Sequence, residues 1–232
     1  MMDYLRNPSA IYEKSFAIIR GETDLSGLPV SAEAIAIRMI HACGMTDIVG
    51  DLRISGDFVA AGTKALAKPI LTDAEMLRHG IIDKTLQVIC TLNDPRAREI
   101  GITKQTTRSA ASVELWPPHL EGALVVIGNA PTALFALLEI IDAGGPRPAA
   151  IAAFPVGFVG AAESKDELVN NPRGIPYATI LGRRGGSAMA AACVNGLSKG
   201  LTRPNGSPSS AWARMALKAS PPAPSSHCKT LM

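Results

Sequence analysis

Aromatic residues make up only 4% of the 232 positions, and no apolar run approaches the roughly 18 residues that a membrane span needs. A core must therefore be built from Ala, Val, Ile and Leu. The 47% apolar and 19% charged content is that of a globular chain and excludes disorder for its bulk. The four cysteines, Cys43, Cys90, Cys193 and Cys228, form no Cys-x-x-Cys pair and no Cys/His cluster at metal-ligand spacing, so they read as reduced thiols packed as small apolar groups. No basic run is interleaved with aromatics, which removes the electrostatic footprint of a nucleic-acid binder. The formal charge of +3 is concentrated beyond position 202, where Arg203, Arg214, Lys218 and Lys229 have no acidic residue among them. The rest of the chain is close to neutral, and any anion must be met by locally placed residues. Charges at positions 3, 6, 13 and 14 stand where a signal peptide needs an apolar centre, so a soluble, cytoplasmic protein is expected. There is no G-x-x-x-x-G-K-[ST], no G-x-G-x-x-G after a strand and no G-x-S-x-G elbow. Nucleotide use and serine hydrolysis are both disfavoured.

Val- and Ile-rich segments recur at 69–72, 86–92, 123–128, 149–156 and 177–181. They are nearly continuous in apolar residues rather than alternating, as strands covered on both faces are. Helical patterns lie between them, and two more, at 7–21 and 31–43, precede the first strand; in the second, Ala34, Ile37, Ile40 and His41 share a face. Thr72 with Glu75, and Ser164 with Glu167, have the spacing of capping boxes. The expected fold is a single three-layer α/β/α domain with a mainly parallel central sheet, spanning residues 1–201. From 202 to 232 the chain is Pro- and Ser-rich, with one short stretch of helical character, and reads as a disordered tail.

Chemistry is expected at the strand-to-helix junctions, because ligands of open α/β sheets bind at the carboxyl ends of the strands. In VVIGNAPTALFALLE, Pro131 falls just inside a helix, so the region around Thr132 is expected to offer amides to an anion. Gly157 and Gly160 precede Ser164, and Arg183, Arg184, Gly185 and Gly186 precede another helix; three such junctions suggest a ligand with several anionic groups. Arg108 and Ser109 open a further helix, where an arginine opposes the helix dipole unless an anion is near. Arg38 and His41 are three residues apart on one helix, and His41 reads either as a hydrogen-bonded core residue or as a proton donor facing an anionic ligand. Asp73 and Glu163 could support acid–base work, with no pairing evident from spacing.

Read in order, the stretches AIYEKSFAIIR, RMIHACG, PILTDAEM, TRSAA, VVIGNAPTALFALLE, PVGFVGAAESKDEL and GRRGGSAMAAA resemble the precorrin-8X methylmutase family of cobalamin biosynthesis, from about Tyr4 to Leu197. The segment between TDAEM and TRSAA keeps only the family's general pattern, and the tail lies outside the resemblance. The resemblance implies a homodimeric isomerase that moves a methyl group from carbon 11 to carbon 12 of a corrin macrocycle, with no cofactor and no metal. It places the catalytic histidine on His41 and substrate contacts on Ser15, Arg38 and Arg108. Ser109, Thr132 and Lys165 are further donors expected to meet the carboxylates of the polycarboxylate tetrapyrrole substrate and product, with hand-over to neighbouring pathway enzymes conceivable. Other readings are the same reaction on a cobalt-loaded ring, a non-catalytic tetrapyrrole carrier, and an acyl or phosphoryl transferase, the last without a nucleophile motif.

Overall fold

The computed structural model describes residues 2–200. Two helices open the chain. α1 (Pro8–Glu22) begins at Asn7, whose side-chain oxygen accepts the amides of Ser9 and Ala10 at 2.9 and 3.2 Å, with proline in the first turn where no amide is needed. A 3₁₀ turn at Val30–Ala32 leads into α2 (Glu33–Cys43). Gly44 ends α2 in a left-handed conformation (φ 70°) that returns its amide to the Ile40 carbonyl.

The α/β alternation follows: β1 (Leu52–Ile54), α3 (Phe58–Ala65), β2 (Ile70–Thr72), α4 (Glu75–Gly80), β3 (Val88–Cys90), α5 (Pro95–Thr103), α6 (Arg108–Val113), α7 (Pro117–Leu120), β4 (Leu124–Ile127), α8 (Pro131–Asp142), β5 (Ala150–Ala153), α9 (Ala161–Asn170), β6 (Tyr177–Ile180) and α10 (Ser187–Lys199). The sheet order is β1-β6-β5-β4-β2-β3, parallel throughout except for β1, which runs antiparallel to β6 with Leu52 opposite Ile180. All five expected strands are present within the expected segments. β1 is additional: three residues at an edge, buried only at Leu52, too short to register as an apolar run.

Alternate residues of the central strands serve opposite faces. Leu71, Val125, Ile127 and Ile151 pack with Leu134 and Leu137 of α8 and with Trp116. The Trp116 indole donates to Thr91 Oγ1 (2.9 Å), which in turn donates to the Ser112 carbonyl (2.8 Å). On the other face, α3 and α10 pack on the sheet and α2 packs on α10. Gly196 permits that last approach, since a Cβ there would lie 2.8 Å from the Ile35 Cα.

Both expected capping boxes dissolve in the structure. Thr72 is the last residue of β2, where its hydroxyl donates to the Ile89 carbonyl (3.3 Å), and α4 starts from Ala74 without a side-chain cap. Ser164 lies inside α9, buried, donating to the Ala161 carbonyl (3.2 Å), while the helix opens on Gly160 at φ 78°. In each case the spacing matches the motif, but the strand end or the left-handed glycine sets the helix start.

The topology has its switch point between β2 and β4, whose successors turn to opposite sides of the sheet, and this is where a doubly wound fold ordinarily binds its ligand. Here the crevice is filled from within. Asp73, directly after β2 and fully buried, accepts the amides of Gly128 (2.9 Å), Asn129 (3.0 Å) and Ala130 (2.8 Å) directly after β4. Burial pushes this carboxyl's pKa up, against the pull of the three amides. No helix among the described residues is long and apolar enough to cross a membrane. The expected tail, 202–232, lies outside the described residues.

Candidate active site

The first group of polar side chains gathers where α1 crosses the end of α2. Asn7 fixes the start of α1, so that Tyr12 and Ser15, three residues apart, face α2. Ser15 Oγ lies 2.7 Å from Nδ1 of His41, and the imidazole is edge-on to Phe16 (5.4 Å between ring centres) and tilted against Tyr12 (5.1 Å). Ser15 and His41, 26 residues apart, are thus brought together. His41 itself is exposed, although its helix neighbours Ile37 and Ile40 are buried. Partial burial and then the Arg38 charge lower its pKa from the ordinary 6.5, so the ring is neutral at neutral pH.

Arg38 is buried, and its Nε donates to the carbonyl of Gly200 at the end of α10. Burial lowers its pKa, opposed by Tyr12, without threatening its charge. His41 stands between two hollows. One, of about 410 Å³, is bounded by Ser15, Ile18, Ile19 and Ile40. The other, of about 250 Å³, is bounded by Tyr12, Arg38, Gly80, Ala188, Ala191 and Asn195. Asn195 holds the wall of the second hollow by accepting the Ile82 amide (2.9 Å) and donating to the Gly80 carbonyl (3.1 Å). Ala188, in the first turn of α10, walls one end of this hollow, and Asn195 and Arg38 carry the group along α10 towards its far end.

A second group stands at the starts of α6 and α8, the latter following the carboxyl end of β4. Thr107 caps α6 by accepting the Ala110 amide (3.1 Å), and its hydroxyl meets that of Thr132 at 2.7 Å, which ties the starts of the two helices together. Arg108 is exposed beside them and Ser109 is half-buried. The amides just before Thr132 are not open to a ligand as expected, because Asp73 has taken those of residues 128–130. The two hydroxyls and the Arg108 guanidinium are presented there.

Of the other residues singled out in the sequence, Lys165 is fully buried, its ammonium donating to the carbonyls of Pro155 (3.0 Å) and Arg184 (2.6 Å). It faces the protein rather than the hollows. Arg184 pairs with Asp47 and Asp51, both at 2.5 Å, and Arg183 stacks over Phe158 with 5.4 Å to the ring centre. Asp73 is committed to the switch point, and Glu163 is exposed on α9. Sequence reading passed over Tyr12, Thr107 and Asn195. Tyr12 carries a signal in its three-residue offset from Ser15, whereas the other two act through partners that only the fold supplies. Among the described residues, no group of three or more His, Cys, Asp or Glu side chains converges as metal ligands do.

These features define a mainly parallel α/β/α enzyme domain with a hydroxyl-bonded histidine beside a buried arginine and, on another helix, an exposed one. The chain belongs to the precorrin-8X methylmutase family, whose family model matches residues 10–199. It is 55% identical over 203 residues to the precorrin-8X methylmutase of Pseudomonas aeruginosa, covering 85% of this chain and 98% of that one. To the cobalt-precorrin-8 methylmutase of Salmonella typhimurium it is 38% identical over 209 residues, covering 84% and 97%. A crystal structure described as precorrin-8X methylmutase from Thermus thermophilus superposes with a TM-score of 0.74 at 35% identity, covering 82% of this chain and 94% of that one.

Proposed function

We propose that this chain is a precorrin-8X methylmutase, an isomerase of corrin biosynthesis that shifts a methyl group from carbon 11 to carbon 12 of the ring and yields hydrogenobyrinic acid. The observation that carries the reading is the Ser15–His41 pair at the junction of two hollows, 2.7 Å apart. With the Ser15 hydroxyl donating to Nδ1, the neutral imidazole holds its hydrogen on Nε2, from which it donates to a ring nitrogen of the bound macrocycle. That bond draws electron density from the conjugated system as the methyl leaves carbon 11 and joins carbon 12. The molecular formula is unchanged, and the hydrogen stays with or returns to the imidazole. Donor catalysis of this kind contributes about 10² to 10⁴ in rate. Rigid seating of the ring supplies a further part.

The peripheral carboxylates are met by Arg38, by Arg108, and by the Ser109 and Thr132 region, with charge-assisted bonds to the guanidinium groups. A homodimer, which the family resemblance implies, is part of the reading. The higher identity to the precorrin-8X relative than to the cobalt-precorrin-8 relative, 55% against 38%, favours the metal-free ring. The test is direct: purified protein and precorrin-8X alone, with no nucleotide, reductant or divalent ion, give the absorbance change of the rearranged corrin. A requirement for any of those additions, or stoichiometric binding without turnover as a carrier would show, overturns the reading.

A further inference from the structure

A lysine with no exposed surface and, among the described residues, no carboxylate bonded to its ammonium is an expensive feature, because desolvating a charge is repaid only by good hydrogen bonds. Lys165 meets that condition with two backbone carbonyls on different loops. Pro155 belongs to the loop between β5 and α9, and Arg184 to the loop between β6 and α10. The same two loops are stitched by backbone bonds from Gly186 to the Phe154 carbonyl (2.8 Å) and from Gly157 to the Arg183 carbonyl (3.2 Å). They touch so closely that a Cβ on Gly185 would lie 2.2 Å from the Phe154 oxygen. The Arg184 side chain carries the connection to the 3₁₀ turn at Thr46–Asp51, three residues beyond the end of the helix that bears His41. The β6–α10 loop leads into Ala188, which walls the His41 hollow.

We propose that Lys165 is a positioning residue for the methyl shift: by clamping the Pro155 and Arg184 carbonyls it holds both loops and the start of α10 in the one geometry that seats the ring against His41. The proposal rests on the functional reading above, and it gives Lys165 a part that needs no contact with substrate. The charged groups that act on the ammonium are Asp166 on its own helix and Asp51 on the 3₁₀ turn, the latter paired with Arg184, which also pairs with Asp47. Burial lowers the lysine's pKa from 10.5 to about 8, against the pull of Asp166 and Asp51. The clamp therefore loses its charge, and with it most of its grip, as pH rises through about 8.

The test compares the full-length native chain with Lys165→Met, which keeps the stem and removes the donors. Amide hydrogen exchange at Gly157 and Gly186, referenced to Val125 and Ile151 in the sheet, accelerates in the variant by about ten- to a hundredfold, the factor that a lost charge-assisted hydrogen bond corresponds to. KM for precorrin-8X rises while kcat changes little, and the rise of the native enzyme's KM above pH 8 disappears from the variant's profile. Unchanged exchange at the two glycines, or a loss confined to kcat with an unaltered pH profile, overturns the proposal. Should the variant fail to fold, the native chain alone decides. The protection of Gly157 and Gly186 relative to the sheet amides falls as pH passes about 8, and a constant ratio overturns the clamp. Exchange needs no substrate, so absence of turnover in the native chain is recognised separately as failure of the functional reading.

Discussion

His41 and Arg38 share a helix, yet the structure assigns them different environments, one ring exposed between two hollows and one guanidinium buried against the end of α10. Their substitution therefore separates chemistry from seating. His41→Ala is expected to lower kcat by about 10² to 10⁴ with corrin binding still measurable. Arg38→Ala is expected to weaken binding and to raise the His41 pKa, because one of the two causes that depress it is the arginine's charge. If His41 is the donor, its imidazolium keeps Nε2–H and donates it more strongly, so kcat is expected to rise as pH drops through a midpoint below 6.5. In Arg38→Ala that midpoint moves up, because the neighbouring positive charge is gone. Steady-state profiles and an NMR titration of the imidazole measure both, and a midpoint that Arg38→Ala leaves in place would separate the two residues. The sequence made this pair legible through the helical offset and the family resemblance. It could not show that Ser15 reaches Nδ1, because 26 residues and a helix crossing lie between them.

At the scale of elements, the strands were readable because each is an apolar block covered on both faces, and Leu124–Ile127 and Ala150–Ala153 are buried at every position. β1 was not, since Leu52–Ile54 buries one residue and owes its existence to the β6 edge it completes. Helix starts were the weakest reading, as Thr72 and Ser164 show: a two-letter spacing cannot tell a cap from a strand end. The join between β2 and the β4–α8 turn was equally hidden, for the partners of Asp73 lie 55 to 57 residues away. Asp73→Asn puts an amide group where one carboxylate oxygen accepts, leaving at least one buried N–H without a partner. A loss of roughly 2–4 kcal/mol is expected. A urea titration gives the value, and a midpoint like that of the native protein would show that the turn holds without its carboxylate.

For the molecule as a whole, the resemblance ends near Leu197 and the Pro- and Ser-rich segment begins a few residues on. A chain ending after residue 202 retains the Gly200 carbonyl that receives Arg38, so it is expected to keep both its melting temperature and its turnover. Insolubility or loss of activity on that truncation would mean that the tail docks on the body. The filled crevice between β2 and β4 also bears on the life of this enzyme among other metabolites. Folds of this topology tend to capture phosphoryl compounds at the amides after their strands. In this chain the Asp73 carboxylate already sits in that cradle and repels a second anion. The amides of residues 128–130 are thus engaged by the chain itself, and the hollows beside His41 stand apart from the place where such folds ordinarily seat a phosphate.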